Sequence, residues 1–284
     1  MFFLKSIYYF CLEHLEPFLD SFSSRVCFFC RHSLGSLICK ECIEQELSLK
    51  KKSIDYKLLD HFFLEQEQVF HPKVFYLFNF FKKTSYLIKK AKYTRPYFAK
   101  FFAIILSDLL ITKLNTILND DLSEDFISNF PCSKQKLNVF ISYTPMHRLK
   151  TIERSFNFAE LLSKYLFLEL QIRFQDDMEL LFQGSSGIMR YQLGKVEYLQ
   201  DFFLRIKNTR PLFNLRQKSR MKELEGAFVV NKEVKIKESG LNILLIIDDI
   251  CTTGSTLMEL MKLCRQESVF EDQIGLSIYG RNLN

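Results

Sequence analysis

The sequence predicts an α/β fold, an open parallel sheet flanked by helices, with a small cysteine module near its N-terminus. Three observations predict it. From about residue 70 onward, apolar strand-like runs alternate with helical patterns, the arrangement that βαβ crossover units require. The run from Ile243 to Ile247 is apolar at every position, as a strand buried on both faces must be. Four cysteines fall between Cys27 and Cys42, a density that unrelated packing thiols do not produce.

The 284 residues suffice for one large domain and a small satellite. Hydrophobic residues make up 48% and charged residues 25%, a globular balance that excludes wholesale disorder. Phe stands at 30 with Trp absent, which reads as a biased residue pool filling core positions. The formal charge of +6 is mild, and its distribution says more. Lys82, Lys83, Lys89, Lys90, Lys92, Arg95 and Lys100 form one block without a carboxylate, and Arg205, Lys207, Arg210, Arg216, Lys218, Arg220 and Lys222 form another. Such blocks are often plain solvated faces. Two in a chain of modest charge also fit a polyanionic ligand, a phosphate ester or a nucleic acid.

No apolar run reaches the roughly 18 residues of a membrane helix; Phe101 to Ile111 comes nearest and is broken by Ser107 and Asp108. The apolar N-terminus lacks a basic leader and carries Glu13 and Glu16, so it reads as an amphipathic helix rather than a signal peptide. A cytoplasmic location is expected, with reduced thiols.

In chain order, residues 1–24 read as a helical extension, 25–48 as the cysteine module, Lys50 to Lys52 as a charged joint, and 70–284 as one α/β body. Strands are expected at Val74–Phe81, Leu137–Tyr143 and Ile243–Ile247. Helices are expected at about Tyr97–Leu118, Arg154–Leu168 and Ser255–Arg265. Asn119–Gln135 is polar and reads as a loop. Asp176–Gln200, with Gly184, Ser185, Ser186, Gly187 and Gly194, reads as an insertion or mobile loop.

The module holds two CxxC knuckles, Cys27-x2-Cys30 and Cys39-x2-Cys42, separated by eight residues. Each can point two thiolates at one metal, and the short linker brings both pairs together as a tetrahedral site suited to Zn2+. A closed four-thiolate site leaves no open position, so its role is structural or docking. Cys11, Cys132, Cys251 and Cys264 are scattered and read as packing residues.

The chemistry concentrates just after Ile243–Ile247. Asp248 and Asp249 come first, then Thr252, Thr253, Gly254, Ser255 and Thr256, then a helix with Leu257, Leu260, Met261 and Cys264 on one face. A hydroxyl- and glycine-rich turn leading into a helix presents amides, hydroxyls and the positive end of the helix dipole to an anion. Paired carboxylates beside it can accept hydrogen bonds from a vicinal diol. Together they describe a ribose 5-phosphate. The plainer alternative is a strand–turn–helix with an ordinary Thr or Ser cap. A P-loop and a dinucleotide site are excluded, since neither GxxxxGK[ST] nor GxGxxG occurs.

This segment resembles the phosphoribosyl-pyrophosphate motif of type I phosphoribosyltransferases. With the four-cysteine knuckle before it, the chain resembles the ComF family of competence-related proteins across roughly residues 25–281. Further stretches are similar to that family's: Leu87-Ile88 with Lys92-Tyr93, Thr144-Pro145-Met146-His147 followed by Arg154-Ser155-Phe156-Asn157, and Thr209, Leu215, Arg220 and Gly226-Ala227-Phe228. Ser155 stands where relatives carry glycine; Leu212 and Glu223 replace a glutamine and an asparagine.

The resemblance implies a type I phosphoribosyltransferase-like fold, with Asp248, Asp249 and Thr252 to Thr256 on the ribose phosphate. Arg154, Arg220 and Asn157 would serve toward pyrophosphate, and the stretch Arg205 to Lys222 would be a mobile loop over it. Mg2+ would accompany phosphoribosyl pyrophosphate. Two functions follow: a DNA-uptake accessory that touches single-stranded DNA or a helicase-like partner, or an active phosphoribosyltransferase. In the second, Asp248, Asp249, Arg154 and Arg220 would be the catalytic set.

Overall fold

The structure, a computed structural model, describes residues 50–51, 73–79, 92, 98–119, 135–174, 179–184, 187–209, 217–236, 238–267 and 270–280. The extension expected at 1–24 and the four-cysteine module at 25–48 lie outside the described residues, as do Cys11, Cys132 and nearly all of Asn119–Gln135.

The elements in order are β1 (Lys50–Lys51), β2 (Lys73–Asn79), α1 (Phe98–Asn119), β3 (Gln135–Tyr143), α2 (Arg148–Arg154) and α3 (Phe158–Arg173). Then come β4 (Glu179–Gly184), β5 (Gly187–Tyr198), β6 (Phe203–Arg205), α4 (Gln217–Leu224), β7 (Phe228–Val230), β8 (Leu241–Cys251), α5 (Ser255–Glu267) and β9 (Asp272–Gly280). One sheet runs β1-β2-β9-β8-β3-β5-β4, and β6 pairs with β7 in a small hairpin. The five strands β2, β9, β8, β3 and β5 are parallel; β1 and β4 add antiparallel edges. This is an α/β fold, as the alternation of patterns predicts.

Strand β8 is the axis of the sheet. Ile243, Leu245 and Ile247 face α1 and α3, while Leu244 and Ile246 face α5 and the β6–β7 hairpin. All five side chains are essentially inaccessible. At about 1.5–3 kcal/mol each, their burial is worth on the order of 10 kcal/mol before chain entropy is subtracted. The segment that carries the candidate site therefore stands on the most securely anchored strand. Asp108, the carboxylate that interrupts the apolar face of α1, is buried and ion-paired with Arg173 of α3, which ties those two helices together.

Three expectations need correction. Asp176–Gln200 is not a mobile loop: β4 and β5 form a hairpin, and β5 lies beside β3 as a full member of the sheet. Gly184 and Gly187 flank its tight turn, and Gly194 marks a close approach. A Cβ there would sit 2.3 Å from Asn138 Oδ1, and the β3–β5 register shifts between Leu137 and Val139. Arg154–Leu168 is not one helix, because α2 ends at Arg154 and α3 begins at Phe158. The strand expected to end at Ile247 runs on to Cys251. Pairing with β9 continues through Asp248–Ser277, Ile250–Tyr279 and Cys251–Gly280, so both carboxylates lie on the strand, not in the turn.

Among the described residues no helix is long and apolar enough to cross a membrane.

Candidate functional site

The order of the strands fixes where a ligand fits. From β3 the chain crosses through α3 to β5 on one side; from β8 it crosses through α5 to β9 on the other. The two helices pack on opposite faces, as right-handed crossovers in opposite directions demand. Between β3 and β8 the direction reverses. In open α/β sheets a crevice opens at such a point, outside the carboxyl ends of the strands. The loops there are Thr144 to His147 after β3 and Thr252 to Gly254 after β8, held together by the Thr144 amide donating to the Ile247 carbonyl at 2.8 Å.

A small open hollow occupies this position, lined by Arg220, Asp248, Ile250, Cys251 and the run Thr252 to Leu257. Every residue of the Thr252–Thr256 turn expected to meet a phosphate borders it. Gly254 has φ 80°, a left-handed conformation that costs other residues about 1–2 kcal/mol. It turns the chain sharply from β8 into α5. Thr253 Oγ1 lies 2.8 Å from Ser255 Oγ and also accepts from the Ser255 amide at 3.5 Å. The amides of Thr256 and Leu257, in the first turn of α5, have no carbonyl of their own helix to meet. The result is a concave rim of donors at a positive helix end.

The two carboxylates do different things. Asp248 lines the hollow and accepts from the Asp249 amide at 2.8 Å. Burial first, then the neighbouring charge of Asp249, push the Asp248 carboxyl well above the usual range, to about 7. Asp249 is bound elsewhere, its Oδ2 lying 2.6 Å from Lys92 Nζ. The expectation of two equivalent diol acceptors thus becomes one carboxylate at the hollow and one held by a lysine.

Cations approach from three elements. Arg220 of α4 donates through Nη1 to Thr252 Oγ1 at 2.7 Å. Arg205 of β6 lies 5.3 Å from the ring centre of Phe228 and donates to Thr209 Oγ1. Burial lowers its pKa and the Asp248 carboxylate opposes that shift. Lys150 of α2 donates to the Thr209 carbonyl at 3.4 Å. Burial, then Arg205 and Arg154, hold its ammonium below the usual lysine range, which places the three cations in one field. Of the basic block, Arg220 lines the hollow, while Arg205 packs against Phe228 and Thr209.

The β3 loop is built for support. Asn157 is buried; its Oδ1 accepts from the Ala159 amide at 3.1 Å and caps α3, while Nδ2 donates to the Thr144 carbonyl at 3.0 Å. Its amide is committed to holding this loop against α3, not to a pyrophosphate. Ser155 caps α2 with φ 67°. This left-handed position is one that glycine adopts without strain.

Among the described residues no group of three or more His, Cys, Asp or Glu converges as a metal cage. The four thiolates assigned to Zn2+ lie outside the described residues. Cys251 borders the hollow and Cys264 packs in the core. Sequence reading gave Lys150 no site role, placed Arg205 only in a basic block and the expected loop over pyrophosphate, and placed Lys92 only in the other block and a resembling stretch. A charged residue at the end of the apolar run Phe202 to Leu204 is the one local signal for Arg205.

No protein-family model matches the chain, and no curated protein matches it.

Proposed function

We propose that the chain binds a ribose 5-phosphate-bearing ligand, with phosphoribosyl pyrophosphate as the lead candidate, in the hollow at the end of β8. The observation that carries this reading is the convergence of Asp248 and the whole Thr252–Thr256 turn on one opening. The turn and the first turn of α5 take the phosphate, and Asp248 accepts a ribose hydroxyl. Arg220 steadies Thr252 and adds positive charge at the rim. Mg2+ arrives on the ligand's phosphates and hydroxyls. In the ComF-like reading this type I phosphoribosyltransferase-like protein works in natural competence, as an accessory that handles single-stranded DNA or a helicase-like partner. The four-cysteine Zn2+ knuckle serves as its docking module.

The field of Lys150, Arg154 and Arg205 favours a second reading, active phosphoribosyl transfer. Cations held near one another can stabilise charge developing on a departing pyrophosphate without reorganisation. Release of pyrophosphate in the presence of a nucleobase panel supports this reading over binding alone.

The test is a titration of the whole chain with phosphoribosyl pyrophosphate and, separately, with single-stranded DNA. Wild type is compared with Asp248→Ala/Asp249→Ala. The sugar phosphate is expected to lose at least tenfold in affinity, and salt-sensitive DNA binding to survive on the basic segments. A double variant that keeps full sugar-phosphate affinity rules the site out.

A further inference from the structure

We propose that Lys92 is the positioning residue of this site: its ammonium fixes Asp249 and supports the negative charge of Asp248 beside it, so that Asp248 can receive ribose hydroxyls. The inference rests on the ribose-phosphate reading and adds to it a residue and a pH dependence.

Two adjacent carboxylates on a buried strand repel each other and hold a proton between them unless a cation stands close. Lys92 is that cation. Its Nζ is 2.6 Å from Asp249 Oδ2, with the two side chains only 18% and 14% exposed. A pair this sheltered is screened far less than a surface ion pair. The lysine also reaches the second carboxylate: its charge opposes the rise in the Asp248 pKa that burial and Asp249 produce.

The other charged or titratable groups around Asp248 are Arg205 from β6, Arg220 from α4 and the Cys251 thiol on its own strand. Arg220 bonds Thr252, and Arg205 bonds Thr209. Lys92 is ion-paired directly with Asp249. It precedes α1 in the chain and does not line the hollow, so it steadies Asp249 without entering the phosphate turn.

An ionised Asp248 holds ribose hydroxyls through charge-assisted hydrogen bonds on either oxygen, whereas the protonated carboxyl accepts only neutral bonds and turns one oxygen into a donor. Ligand binding therefore strengthens as pH rises through the Asp248 titration. Without Lys92 that titration moves to higher pH. In Lys92→Met, ribose 5-phosphate affinity at pH 7 is expected to fall about tenfold for each unit of that displacement, and to recover by about pH 9. Lys92→Arg is expected to restore the wild-type profile.

A second readout needs no ligand. Asp248 has a raised folded pKa, so its contribution to stability is present below the unfolded carboxylate value and is lost as pH rises through the folded one. In Lys92→Met that loss is expected to extend to higher pH, measured by denaturant unfolding from pH 4 to pH 9. If the stability profile shifts but ribose 5-phosphate binds neither protein, Lys92 keeps its role and the ligand reading fails. An unshifted stability profile, or a binding loss equal at every pH, overturns the proposal. If Lys92→Met does not fold, Lys92→Gln takes its place under the same criteria.

Discussion

The two ends of the β3–β8 strand pair are built by opposite rules. At the amino end, Asn138 and Asn242 are both buried. Asn138 Nδ2 donates to Asn242 Oδ1 at 2.9 Å and to the Ser239 carbonyl at 3.1 Å, while its Oδ1 accepts from the Lys195 amide at 3.1 Å. Asn242 is held in turn by Glu238 and Glu271. Nearly every polar group there has its partner, with Gln273 Oε1 on β9 the exception. At the carboxyl end, Thr144 Oγ1 and Arg205 Nε are buried without one, and the Asp248 carboxyl is driven toward protonation. Satisfied polar networks lock register and rigidity; strained and unmatched groups gather where a ligand is to complete them. One end of the sheet holds the molecule together. The other is left unfinished for function.

That contrast can be broken by mutation. The largest effect is expected at the amino end. Asn138→Leu leaves the Lys195 amide, the Ser239 carbonyl and Asn242 Oδ1 without partners, at a cost of about 2–3 kcal/mol by denaturant unfolding, with ligand affinity unchanged. A smaller effect of opposite sign is expected at the carboxyl end. Asp248→Asn removes a sheltered charge and should raise stability by about 1 kcal/mol at pH 8. It should also flatten the decline in stability that wild type shows as pH rises toward 8. Loss of stability in Asp248→Asn would place Asp248 in the structural class instead. The smallest effect is Ser155→Gly, which relieves the left-handed strain at the end of α2 for a gain of up to about 1 kcal/mol. No gain in melting temperature would mean that this turn carries no such strain.

The sequence reading reached the backbone of the fold where local pattern and burial agree. Ile243 to Ile247, the α5 helix and the Thr252–Thr256 turn are contiguous, and each declares itself through its own residues. The β4–β5 hairpin was not legible because Gly184-Ser-Ser-Gly187 and Gly194 spell flexibility locally. The meaning of Gly194 comes from Asn138, more than fifty residues away in sequence, and that of Gly184 and Gly187 from their pairing across the hairpin. The roles of the two aspartates were hidden for the same reason. Adjacent in sequence, they look like a matched pair; only the fold brings Lys92 to one and Arg205 to the other. Long-range charge partners leave no periodic trace.

The central claim is that Asp248 reads a ribose hydroxyl while the Thr252–Thr256 turn holds the phosphate. Calorimetric titration with ribose 5-phosphate and with 2-deoxyribose 5-phosphate tests it most directly. Wild type is expected to bind the ribose form at least about tenfold more tightly, as a lost hydrogen bond to a charged group implies, and Asp248→Asn to lose that preference while still binding phosphate. Equal affinity of wild type for the two sugars would contradict the account.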